Sequence, residues 1–299
     1  MKLATVNDNG NIKAGMIIGD EFVCCVEGEG ADMAVLSIIR TGDVASWDAV
    51  IDTAERRDLA DVQILAPIPH LIRDMVCVGK NYYAHAKEFF DSGFDATQKE
   101  TIPSEPIIFT KAMTSLIGPN DAIDASIDPT DSVDYEGELG VIISKTARRV
   151  AKADWQDYVF GYVIINDVTS RELQKKHNQW TIGKGLDTFG PMGPWLTTSD
   201  EVPDPNNLNV VGYLDNEIFT EDHTSNYRFS VEKCISEASK YFTLEAGDLI
   251  SFGTTGKGAG RFPRGHKSLL LGEETGSIHI SIDNLGTLSN PIKHQKGGA

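Results

Sequence analysis

The sequence predicts an α+β fold dominated by short strands. Three observations carry that reading. Apolar, β-branched runs of strand length recur along the chain, helical patterns are few, and the two never settle into the regular alternation that builds a parallel sheet. At 299 residues, 40% hydrophobic and 24% charged, the chain has an ordinary globular composition and length for about two domains. Pro67-Ile68-Pro69 breaks the pattern and separates a small amino-terminal α/β unit, residues 1–68, from a larger one, residues 69–299.

In the first unit Leu3–Val6, Ile12–Ile18 and Glu21–Val26 read as a strand meander turned by Asn9-Gly10 and Gly19-Asp20. Ala34–Arg40 and Ala45–Glu55 read as helices, and no polar constellation there suggests a site. The second unit opens with a buried strand, Asp74–Gly79. Lys80–Phe90 has helical propensity, which puts His85 and Glu88 on one face. Asp91–Pro106 is a polar loop of the length found in lids and binding loops, and Pro106–Lys111 resumes a strand.

The stretch Val133–Ile143 organises the rest of the chain. Leu139–Ile143 is an apolar strand, and strand alternation sends Asp134, Glu136 and Glu138 to the same side. Carboxylates in a row repel and resist desolvation, so this face either stays in water or carries a cation. Asp134, farthest up the strand, is expected to be solvated. Tyr158–Asp167 is another apolar run ending in a carboxylate. Thr169-Ser170-Arg171-Glu172 matches a capping box, so a helix begins there and runs to about His177, with Arg171 and Gln174 sharing a face. Gly183–Pro194, with Lys184 embedded, is too rich in glycine and proline for regular structure. Leu208–Leu214 and Glu217–Thr220 form a hairpin around Asp215-Asn216, and Val231–Tyr241 is a helix. Gly247–Gly253 is a strand entering the glycine-rich loop 254–260. Ile278, Ile280 and Ile282 alternate in a final half-exposed strand.

Composition excludes several functions. A net charge of −17 argues against nucleic-acid backbones and anionic membrane surfaces. No run approaches the roughly 18 apolar residues of a membrane span, and no secretory leader is visible. Cys24, Cys25, Cys77 and Cys234 match neither a disulfide framework nor zinc spacing, so buried reduced thiols and a cytoplasmic setting are expected. The loop after Phe252 lacks Walker spacing, because Ser251 and Gly258 stand where glycine and Ser or Thr are required.

Glu136, Glu138 and Asp167 are the strongest constellation. Three carboxylates from two strands suit a hard divalent cation, Mg²⁺ or Mn²⁺, with about three octahedral positions left open. His85 with Glu88 has the form of a base and its orienting carboxylate, or of an ordinary exposed helical pair. Lys184 is an anion partner or a loop lysine.

With these residues in place, the chain resembles the fumarylacetoacetate hydrolase superfamily over most of residues 70–292. The motifs that carry the resemblance are Val78-Gly79-Lys80-Asn81-Tyr82 with His85 and Glu88, Pro106–Lys111, the Glu136-x-Glu138 strand, Asn166-Asp167 with Arg171 and Gln174, Gly183-Lys184, Gly247-Asp248, Gly253-Thr254 and Ile282–Asn290. The resemblance implies a mixed β-roll catalytic domain and Mg²⁺ or Mn²⁺ on Glu136, Glu138 and Asp167. It implies a His85–Glu88 dyad on a lid, Lys184 near the reacting oxygen, substrate contacts from Arg171, Gln174, Gly253 and Thr254, and a homodimer. The expected reaction is metal-dependent hydrolysis of an acylpyruvate or related 2,4-dioxo acid, such as fumarylpyruvate or maleylpyruvate, to pyruvate and a carboxylic acid. Oxaloacetate decarboxylation and isomerisation of a 2-hydroxy-diene-dioate use the same metal-binding residues, and a noncatalytic ligand-binding relative is a further alternative. Two features depart from the family: Thr255 stands where proline is common, and Lys257–His266 is strongly basic.

Overall fold

Gly137–Ile143 is buried along its whole length because it lies inside a sheet covered on both faces. The computed structural model describes residues 1–91, 103–177, 179–255 and 276–293, without the side chains of 88–91. The glycine-rich stretch from 256 onward, the basic segment and most of the 91–106 loop lie outside these residues. Among the described residues a twelve-stranded sheet runs Arg56–Asp58, Glu21–Glu27, Asn11–Ile18, Lys2–Asp8, Gly190–Thr198, Val159–Asn166, Gly137–Ile143, Leu249–Ser251, Met75–Gly79, Ile107–Lys111, with the short strands Gln63–Ile64 and Leu116–Ile117 paired to Lys2–Asp8 and Gly190–Thr198. The amino-terminal meander therefore extends the sheet of the larger unit, through Lys2–Thr197 and Leu3–Leu196 pairs.

A five-stranded sheet packs against it, in the order Glu217–His223, Asn209–Leu214, Ser277–Ile282, Gly286–Lys293, Ile123–Asp124. The period of two shows in the cores. Leu139, Val141 and Ile143 meet Ile278, Ile280 and Ile282 between the sheets, while Ile142 points the other way, into a cluster with Val35, Leu36 and Ile39. The latter three come from the helix Ala34–Thr41. The fold is α+β with strands dominant, as the sequence indicates.

Several local expectations change. The helix expected over Ala45–Glu55 is only Ala45–Asp48, followed by turns. Gly190–Thr198 is a strand despite its prolines, because Pro194 falls in the ladder irregularity between the Ile164–Gly193 and Tyr162–Thr197 pairs, where no N–H is required. Ser170, not Thr169, caps the helix Arg171–Lys176, its Oγ accepting from the Leu173 N–H at 3.4 Å. Ser277–Ile282 is followed by a further strand, Gly286–Lys293. Cys77 and Cys234 are buried free thiols, whereas Cys24 and Cys25 are only half-buried.

Candidate active site

Antiparallel register builds the site. Gly137 pairs with Asn166 and Glu138 with Ile165, so the start of one strand and the end of its neighbour lie side by side. That juxtaposition brings Glu136 and Glu138 to Asp167. Suitable oxygens of the three lie within 4.8 Å of one another, and all three side chains are buried. The chain breaks from strand geometry at Tyr135-Glu136, where the Asp167 N–H donates to the Glu136 carbonyl at 2.8 Å and Asn166 Oδ1 accepts from the Glu136 N–H at 2.9 Å.

Each carboxylate is held by its own set of groups, with Lys184 shared between Glu136 and Asp167. Glu138 Oε2 accepts from Ser251 Oγ at 2.5 Å and from the Gly253 N–H at 2.9 Å. Gly253 adopts φ +86°, and a Cβ there would sit 2.8 Å from the Val78 carbonyl oxygen, so glycine is required for the loop to reach Glu138. Its N–H is thus committed to Glu138. Glu136 is gripped by Arg171 Nη2 at 2.6 Å and by Lys184 Nζ at 2.8 Å. Asp167 lies 2.5 Å from Lys184 and 2.8 Å from Lys111.

Asp134 corrects the expectation of a solvated carboxylate. It is 1% exposed and receives Arg171 Nε at 3.0 Å and Nη2 at 2.6 Å. The helix Arg171–Lys176 sets that guanidinium beside it, and a fixed cation is what a buried acid needs to stay charged. Arg171 Nη1 also donates to Gln174 Oε1 at 3.4 Å.

Three of the four carboxylates are ion-paired: Asp134, Glu136 and Asp167 pair with Arg171, Lys184 and Lys111, and Lys80 also lines the pocket. Glu138 is the carboxylate with no ion pair among the described residues. Burial, then repulsion from Asp167 and Glu136, pushes its carboxyl up to about 8, against the opposing pull of Lys184 and Ser251. Burial works against the Lys184 ammonium, but Asp167 and Glu136 outweigh it and hold the proton more firmly than usual. Burial wins at Lys111, which sits below the ordinary lysine range despite Asp167.

The donor set fits a hard divalent cation. It consists of carboxylate oxygens without thiolate or imidazole, and the burial and carboxylate repulsion that raise Glu138 are what a bound cation in place of its proton would relieve. Glu136, Glu138 and Asp167 are the residues that would hold it.

A small pocket opens over the carboxylates. Of the sequence-predicted residues, His85, Glu136, Glu138, Arg171, Gln174, Lys184, Gly253 and Thr254 line it, while Asp167 stands behind the lining. His85 Nε2 is 4.0 Å from Glu136 Oε1. Glu88 shares the helix Tyr83–Asp91, but its side chain lies outside the described residues. Lys184 ends a short helix, Trp180–Lys184, where the glycines and prolines predict an irregular loop. Its ammonium also donates to Thr169 Oγ1 at 2.9 Å and lies 5.3 Å from the Phe109 ring centre.

Sequence reasoning misses Ser251, Lys111, Thr169, Trp180 and Phe109. Lys111 does carry a signal, a lysine closing an otherwise apolar strand. Trp180 carries none. It packs edge-on to Phe109 at 5.0 Å between ring centres and covers Gly79, where a Cβ would meet its ring at 2.2 Å.

Known proteins resemble this chain along nearly its whole length. The profile of the family described as fumarylacetoacetate (FAA) hydrolase C-terminal matches residues 74–293. Oxaloacetate tautomerase YisK of Bacillus subtilis is 37% identical over 98% of this chain and all of its own length. The fumarylacetoacetate hydrolase structure from Exiguobacterium antarcticum superposes with a TM-score of 0.82 at 32% identity, over 99% of this chain and 100% of that one. Maleylpyruvate hydrolase from Sphingobium sp. SYK-6, in complex with manganese(II) and pyruvate, superposes with a TM-score of 0.77 at 27% identity over 98% of both chains. With the profile covering residues 74–293 and the relative matched over its full length, the chain belongs to the fumarylacetoacetate hydrolase family.

Proposed function

We propose that this chain is a divalent-cation-dependent enzyme that interconverts the keto and enol forms of a small 2-oxo acid of the oxaloacetate type. The observation that carries the reading is the placement of a histidine, a lysine and three buried carboxylates around one pocket. Similarity to a tautomerase over the full length of both chains points to the same chemistry. Mg²⁺ or Mn²⁺ on Glu136, Glu138 and Asp167 would supply Lewis-acid polarisation of a 2-oxo group.

The protein's own groups do the rest. Gln174 orients the substrate carboxylate. His85 removes a proton from the carbon next to the 2-oxo group and returns one on reversal, a role worth roughly 10²–10⁴ in rate. Lys184, kept charged by Asp167 and Glu136, faces the oxygen on which negative charge develops. Trp180 and Phe109 form a wall that limits water.

A second reading is the C–C hydrolysis expected from the sequence, favoured by the pyruvate in the manganese complex of the similar maleylpyruvate hydrolase. His85 then deprotonates water for attack on the distal carbonyl, and the cleaved bond's electron pair leaves with pyruvate as its enolate. A homodimer, implied by the resemblance, belongs to the proposal and is checked by light scattering.

A panel of oxaloacetate, simple acylpyruvates, fumarylpyruvate and maleylpyruvate, assayed with each metal, separates the readings. Ultraviolet enol relaxation faster than release of pyruvate or CO₂ supports tautomerisation. Equimolar pyruvate and acid from acylpyruvates supports hydrolysis, and CO₂ from oxaloacetate supports decarboxylation. No turnover of any member refutes the enzyme reading in favour of a ligand-binding relative.

A further inference from the structure

Lys111 lies outside the pocket and is wholly buried, yet it touches both halves of the site. It closes the edge strand Ile107–Lys111, opposite Met75 in the neighbouring strand. Its Nζ is 2.8 Å from Asp167 Oδ1 and donates to the Val168 carbonyl at 3.0 Å. It also donates to the carbonyl of Lys184. That carbonyl belongs to the last turn of the five-residue helix Trp180–Lys184, where no helical N–H is in position to donate to it.

We propose that Lys111 is a positioning residue that aims Asp167 and Lys184 into the pocket together. By pairing with Oδ1, it holds Asp167 so that Oδ2 is the oxygen directed at Lys184. By capping the carbonyl of Lys184, it fixes the backbone from which that ammonium reaches Glu136 and Asp167. One buried cation thus ties the end of the strand Val159–Asn166 to the end of a helix from a different part of the chain. A neutral side chain of the same length would fill the space, leave the Val168 and Lys184 carbonyls without this donor and leave Asp167 Oδ1 without its cation. The inference rests on the proposed function in treating Asp167 as a cation ligand and Lys184 as a pocket cation.

The test compares wild type with Lys111→Met, using Mn²⁺ alone by electron paramagnetic resonance and then steady-state kinetics on the panel above. Groups behind a metal ligand commonly account for about 10–100-fold in affinity or activity. Lys111→Met is expected to bind Mn²⁺ weaker by that factor, with kcat reduced similarly and KM within about threefold of wild type, since Lys111 does not contact the pocket. Lys111→Gln, which keeps one donor, is expected to fall between. A folded Lys111→Met with wild-type Mn²⁺ affinity and kcat overturns the proposal. So does failure of both variants to fold, which would assign Lys111 to the core alone. If the wild type binds Mn²⁺ but turns over no 2-oxo acid, the proposed reaction fails while the Mn²⁺ affinities still decide the role of Lys111.

Discussion

The Lys184 ammonium lies 2.5 Å from the Asp167 carboxylate, with both side chains buried. A buried pair of this kind contributes little net stability over an apolar substitute, but removing one partner strands the other, at about 3–5 kcal/mol. Lys184→Met is therefore expected to lower the unfolding temperature of chelator-treated protein. Because a divalent cation can also neutralise Asp167 and Glu136, Mn²⁺ should recover much of the loss. Differential scanning calorimetry with and without Mn²⁺ checks this, and an unfolding temperature unmoved by the substitution would contradict it.

Glu138 makes the metal-free protein sensitive to pH. Its carboxyl holds a proton up to about 8 in the folded chain, whereas the unfolded chain releases it near the ordinary value of about 4.3. Between these limits the folded state binds more protons, so stability falls as pH rises. The slope from this group reaches about 1.4 kcal/mol per pH unit and vanishes above the folded value. Chelator-treated wild type should lose denaturant resistance between about pH 5 and 8 relative to Glu138→Gln, which has no proton to release. Parallel curves for the two proteins would refute the assignment.

His85 faces the pocket within 4.0 Å of Glu136. His85→Ala should reduce turnover by roughly 10²–10⁴ while leaving binding of oxalate, a pyruvate-enolate analogue, within a few-fold. Calorimetric titration of oxalate in the presence of Mn²⁺ measures the second half. Near wild-type turnover would remove His85 from the mechanism.

Gly79→Ala tests the aromatic wall. Its Cβ would fall 2.2 Å from the Trp180 ring, so the indole must shift. Overpacking of this kind costs about 1–3 kcal/mol. The variant should fold, show altered tryptophan emission and lose kcat/KM. Unchanged emission and kinetics would show that the wall accommodates the methyl without consequence.

Strand pattern makes most of the fold legible. Val133–Ile143 and Tyr158–Asp167 stand out by their β-branched runs, and their terminal carboxylates mark the candidate site. Asp134 is misread from sequence because its partner, Arg171, is 37 positions away and reaches it only through the pairing of Val133–Asp134 with Thr169–Ser170. Gly190–Thr198 hides behind prolines, of which Pro194 falls at a register irregularity, a tertiary detail. Ser251 and Lys111 act by touching other site residues, not substrate, and a single chain offers no short motif for such contacts.

Everything proposed for the pocket depends on a divalent cation held by Glu136, Glu138 and Asp167 driving chemistry at a 2-oxo acid. The decisive measurement is the ultraviolet decay of the oxaloacetate enol with chelator-treated protein titrated with Mn²⁺. Negligible catalysis is expected at the start, with a linear rise to a plateau at one Mn²⁺ per chain and no rise with Glu138→Ala. Catalysis undiminished in the chelator-treated protein, or fully restored by Mn²⁺ in Glu138→Ala, would contradict that dependence.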